Sequence, residues 1–165
     1  MFEFSISEDV SPEAFYPDLE AAARALVEGE PDAIANMANI SALIWQFVPD
    51  LNWAGFYRLV DGELVLGPFQ GKTACIRIPL GKGVCGTAAE TGQTQRIADV
   101  HAFPGHIACD ADSRSELVIP VMRGNAVAGV LDLDSPRPDR FDKLDQEGLS
   151  RLVAAISPAL TASLP

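Results

Sequence analysis

At 165 residues and 48% apolar composition, the chain has the length of one domain and the material for a continuous core. Twelve Lys and Arg against twenty-three Asp and Glu leave a formal charge of -11, which repels phosphate backbones and argues against nucleic acid as a partner. Met1 opens on Phe2-Glu3-Phe4 and a run of acids with no basic n-region and no long apolar segment, so export and membrane insertion are not expected and the cytoplasm follows.

Residues 1–16 hold Phe2, Phe4, Phe15 and Tyr16 among acids without a clear period, and read as an N-terminal arm packed on the single domain formed by residues 17–165. From Asp18 to Val27, apolar residues recur at helical spacing until Gly29 and Pro31 interrupt, and a second helix is predicted from Asp32 to Val48, with Trp45 and Phe47 as core. Short β-prone runs follow at Asn52–Leu59, Glu63–Leu66 and Ala74–Ile78, the first two joined by Asp61-Gly62, a dipeptide suited to a tight hairpin. A short helix from Val84 to Thr91 ends at Gly92, and a strand follows around Gln95–Ala98. Asp99–Arg114 is the longest irregular segment. Glu116–Met122 and Ala126–Asp134 form a second hairpin about Gly124-Asn125, and a helix from Asp142 to about Ala159 carries Leu144, Leu149, Leu152, Val153 and Ile156 on one face. The strands are not separated by crossover helices, so the expected class is α+β: a mostly antiparallel sheet of about six strands, helices on one face and a loop-built pocket on the other.

Three cysteines, Cys75, Cys85 and Cys109, lie in or beside the two polar connections. An odd number at steps of ten and twenty-four cannot close a disulfide framework, which makes thiol chemistry the first expectation. Cys85 follows Gly81-Lys82-Gly83-Val84 at a helix start, where backbone donors and an ammonium favour a thiolate; a small buried core residue is the plainer alternative. Cys75 reads as a strand residue of the core, and Cys109 lies in a polar loop beside His106, Asp110 and Asp112. A zinc site of the three cysteines with His101 or His106 is a third use of the set, but no Cys-x-x-Cys knuckle supports it.

Period two puts Asp132 and Asp134 on one face of their strand, and the hairpin return brings Glu116 near Asp134. Such crowding raises carboxyl pKa values and leaves a proton available for a general acid. A solvated acidic sheet edge is the alternative. Trp53 shares its parity with Gly55 and Tyr57, and an aromatic wall beside acids suits a small zwitterion with a thioether-like tail.

Asn52-Trp53-Ala54-Gly55-Phe56-Tyr57, residues 67–78, Gly81–Gly86, Cys109–Glu116 and Gly129–Pro136 together resemble the free methionine-(R)-sulfoxide reductases built on a GAF domain, over about residues 30–160. The resemblance implies a dimeric cytosolic enzyme that reduces free methionine (R)-S-oxide, restores its thiols with thioredoxin and needs no metal or organic cofactor. It also implies that Cys109 is the nucleophile and Cys75 the resolving thiol, with Cys85 the third member of the cluster and still open as the resolving partner. Glu116 and Asp134 are then the candidate proton donors, with Asp132 supporting them, and all three acids line the substrate site. Trp53 covers the S-methyl end, Tyr57 lines the pocket, and amides of the 99–109 loop hold the carboxylate. The competing expectation is a non-enzymatic GAF-type sensor or binding module; a sensor normally passes its signal to an output domain, and here one domain consumes the chain.

Overall fold

The computed structural model describes residues 11–105 and 111–164. Helix α1 spans Pro12–Val27 and α2 Ala33–Phe47; strands β1 (Trp53–Val60), β2 (Glu63–Gly71) and β3 (Arg77–Pro79) follow, then α3 (Gly83–Thr91), β4 (Gln95–Ile97), β5 (Ser115–Arg123), β6 (Ala126–Ser135) and α4 (Lys143–Thr161). The sheet order is β3-β2-β1-β6-β5-β4, and every neighbouring pair is antiparallel. Among the described residues no helix is long and apolar enough to cross a membrane.

Alternation along the central strands divides the interior in two. Ala54, Phe56, Leu117, Ile119, Leu131 and Leu133 face α1, α2 and α4 and make the larger core. Trp53, Tyr57, Val118 and Val130 point the other way, where α3 packs with Leu64 and Ile78. The second face is thus closed partly by a helix, where loops alone are expected from the sequence. The close approach of α1 to α4 depends on Gly148, since a Cβ there would sit 2.2 Å from Tyr16 Cγ.

Several boundaries depart from the sequence reading. Helix α1 begins at Pro12 and runs through Pro17, so the end of the expected arm is helical. Pro17 lacks one amide donor, a small loss in a helix whose inner face buries Tyr16, Leu19, Ala22 and Ala23. The rest of the arm, residues 1–10, lies outside the described residues. Strand β2 continues past Leu66 to Gly71 because a register shift between Gly55 and Tyr57 of β1 absorbs an extra residue of β2, and a bulge tolerates Pro68. The expected strand at Ala74–Ile78 shrinks to β3, leaving residues 72–75 outside the ladder. Trp45 and Leu144 are not core: they are 40% and 41% exposed. Each lies a quarter turn or more from the inward stripe of its helix.

Candidate functional site

The registers place the candidate residues in two rows across the second face. Glu116 on β5 pairs with Asp134 on β6, and Asp134 with Trp53 on β1. One step along, Val118 pairs with Asp132, Asp132 with Gly55, and Gly55 with Phe69 on β2. Directly opposed residues share a face, so three acids and two aromatic rings converge there. Gly55 is required by the crowding: a Cβ would lie 2.3 Å from that of Phe69 and 2.8 Å from the Trp53 ring. Trp53 stacks between Tyr57 and Phe69, with ring centroids 5.8 and 5.2 Å away.

Glu116 and Asp132 are buried and Asp134 half-buried. Burial, and then the charges of Asp132 and Asp134, push the Glu116 carboxyl well above its ordinary range, which favours its protonated form. Asp132 is raised by burial to about 6, against hydrogen bonds with Cys85 and Glu116 that pull it down. Its Oδ1 is buried without a hydrogen-bond partner. The arrangement is a pair of buried carboxyls, both pushed towards the protonated form, beside an unsatisfied carboxylate oxygen.

Cys85 lies on the first turn of α3, buried, with Sγ 3.8 Å from Glu116 Oε1. The thiolate expected from a helix start is overturned: burial, then the charges of Asp132 and Glu116, raise this thiol well above its ordinary value. Helix-end stabilisation is about 1 kcal/mol, too little to offset desolvation and two carboxylates. Cys75 is half-buried against the second core, just before β3, and is disulfide-bonded. Cys109, with His106 and Asp110, lies outside the described residues. Donor atoms of Cys85, Glu116 and Asp132 fall within 4.8 Å of one another, a spacing that could accept a cation, although all three groups are pushed towards their protonated forms. The alternative zinc set loses Cys75, since a disulfide sulfur is not a thiolate donor.

The aromatic pair is buried, and its polar atoms bind the segment above it. Trp53 Nε1 donates to Lys72 O at 3.1 Å, and Tyr57 Oη donates to Cys75 O, also at 3.1 Å. Burial and the Asp132 charge raise the Tyr57 phenol, which stays protonated and keeps donating. These bonds tie the pocket floor to the backbone carrying Cys75. Sequence reasoning missed Phe69, because β2 was expected to end at Leu66. It also missed the tether, because the sequence reading starts a strand at Ala74, where the chain instead runs outside the ladder.

The GAF domain family matches residues 35–161. A free methionine-R-sulfoxide reductase of Escherichia coli (strain K12) is 54% identical over 149 residues, covering 90% of each chain. Among solved structures, fRMsr of Staphylococcus aureus in its reduced form superposes with a TM-score of 0.85 at 50% identity, over 88% of this chain and 95% of that one. The free methionine-R-sulfoxide reductase of Neisseria meningitidis, in complex with its substrate, superposes with a TM-score of 0.90 at 39% identity, over 99% of this chain and 96% of that one.

Proposed function

The chain belongs to the free methionine-R-sulfoxide reductase family of GAF-domain proteins, and we infer that it is an oxidoreductase that reduces free L-methionine (R)-S-oxide to L-methionine through a cysteine sulfenic acid and an intramolecular disulfide. The buried Glu116–Asp132 pair carries this reading, because reducing a sulfoxide requires a proton for the oxygen as its bond to sulfur breaks. A carboxyl that burial pushes towards its protonated form suits that task, which favours Glu116 over the half-buried Asp134.

In the proposed cycle the Cys109 thiolate attacks the sulfoxide sulfur while Glu116 protonates the oxygen. Methionine leaves and Cys109 carries the oxygen as a sulfenic acid. The Cys75 thiol then condenses with it, forming a disulfide and releasing water. Cys75 bonded and Cys85 free support Cys109 as the partner and argue against Cys85 as the resolving thiol. Cys85 instead contacts the Glu116 carboxyl, and its thiol, donating to that group, moderates the upward push that burial and the neighbouring aspartates give it.

For substrate binding, the unsatisfied Asp132 oxygen and nearby Asp134 suit the ammonium of a free amino acid, and the Trp53 and Tyr57 side suits the S-methyl end. A peptide would place an uncharged amide against buried carboxylates, which supports selectivity for the free amino acid. Thioredoxin is the proposed reductant, at about -270 mV able to reduce a disulfide that is not strongly stabilised. A homodimer in the cytoplasm, without metal or organic cofactor, completes the reading. The test is NADPH consumption coupled to thioredoxin and its reductase, with each epimer of the free sulfoxide supplied separately. Consumption with the R epimer alone is expected; none with either removes the assignment.

A further inference from the structure

Any reductant of the Cys75 disulfide must touch the surface beside it, and that surface carries an unusual side chain. Ile76 is 70% exposed, whereas Leu144, Trp45 and Ile34, the other exposed large apolar residues described, stand at 40–41%. Ile76 sits at the bend before β3, where the alternation that buries Ile78 is broken: Cys75 turns onto the second core and its neighbour turns out. Three hydrogen bonds hold the backbone that presents it, from Trp53 Nε1 to Lys72 O, from Tyr57 Oη to Cys75 O, and from the Leu66 amide to Ile76 O at 2.9 Å. A side chain on a fixed backbone loses little freedom when a partner covers it. Exposed ion pairs flank it, Lys72 with Asp112 and Arg77 with Glu63. An apolar centre inside a polar rim is the usual anatomy of a protein contact. Strand β3, immediately following, ends the sheet order and presents an outer backbone edge beside the same patch.

We propose that Ile76, with the ion pairs around it and the outer edge of β3, is the docking surface for a small protein dithiol that reduces the Cys75 disulfide. The inference rests on the reductase reading above. The partner's chemistry follows from the surface: a reactive dithiol set in an apolar collar that accepts a branched aliphatic side chain. Its thiolate attacks the disulfide, forming a mixed disulfide and expelling one sulfur of this chain as a thiolate. The partner's second thiol then displaces the other sulfur. Two electrons pass from dithiol to disulfide, leaving two thiols here and one disulfide there.

The test compares reductants on the full chain. Wild type, Ile76→Ala and Ile76→Asp are assayed with thioredoxin and its reductase, and separately with dithiothreitol, which needs no docking surface. The Asp variant is expected to raise the KM for thioredoxin about tenfold, and the Ala variant several-fold. Dithiothreitol-supported turnover and single-turnover methionine release should stay within about twofold. An unchanged KM for thioredoxin in both variants overturns the proposal, as does an equal loss with dithiothreitol, which places Ile76 in the chemistry. A changed oligomeric mass with an unchanged KM assigns the patch to a second copy of the chain and likewise overturns it. If wild type releases no methionine with either reductant, the reductase reading itself has failed and the docking surface falls with it.

Discussion

Asp132→Asn tests the buried proton store directly. Asp132 is held at about 6 against an ordinary 3.8. At about 1.4 kcal/mol for each tenfold in proton affinity, that difference is about 3 kcal/mol. The native state binds this proton more tightly than the unfolded chain does. The contribution to stability is therefore fully present below pH 3.8 and is lost as pH rises through about 6. Glu116, also raised, loses its contribution in the same sense as pH rises. Asp142 acts in the opposite sense: the Asp145 amide holds it low, so the stability it lends disappears as pH falls. Because Asp142 is the same in both proteins, the difference between wild type and variant reports on the coupled Asp132–Glu116 pair. Urea unfolding of the disulfide-intact proteins should show Asp132→Asn gaining about 3 kcal/mol on wild type between pH 4 and pH 7, whatever its absolute stability at either. The exchange also removes a charge that keeps the proton on Glu116, so the alkaline limb of the kcat profile should move to lower pH. Parallel stability profiles for the two proteins would refute the reasoning.

Cys109→Ser should abolish methionine release, whereas Cys75→Ser should release about one equivalent per chain and then stop in the presence of thioredoxin; sustained turnover by either variant removes its assigned role. Tyr57→Phe removes the donor to Cys75 O, and should cost about 1 kcal/mol of stability and slow disulfide closure more than the first methionine release, seen as longer-lived sulfenic acid in a trapping assay. An unchanged sulfenic acid lifetime contradicts the tether. Arg140→Met should destabilise the fold by about 3 kcal/mol, because Nη1 contacts both oxygens of buried Asp145 at 3.1 and 3.0 Å and the remaining carboxylate would be left without its cation. A urea-measured loss below about 1 kcal/mol contradicts it.

The acid row was legible because strand parity and a short hairpin are local rules. Leu131 and Leu133 mark the core face, so Asp132 and Asp134 fall on the other, and the turn at Gly124 fixes Glu116 opposite Asp134. The state of Cys85 was not legible for the opposite reason. Its chain neighbours describe a helix start, but its acidity is set by burial and then by Asp132 and Glu116, more than thirty residues away on other strands. The 72–75 segment resisted for a third reason. An apolar run such as Ala74–Ile78 fits a strand equally well, and only the Trp53 and Tyr57 hydrogen bonds reveal that the chain leaves the sheet to cover them. The outward Trp45 shows a related limit, since α2 carries no charged residue to mark its wet side.

The two faces of the sheet divide the work. Buried carboxyls on one face cost stability at neutral pH, because burial and their neighbours push them towards a protonated form that the unfolded chain does not keep. The opposite face is almost wholly apolar and packs three helices, so it can offset that cost without entering the chemistry. Strand alternation keeps the tasks separate: Phe56 and Leu133 can be varied for packing while Tyr57 and Asp132, one residue away, keep their positions. At the rim the alternation is broken by the bend before β3, where Cys75 packs on the second core and Ile76 faces the solvent.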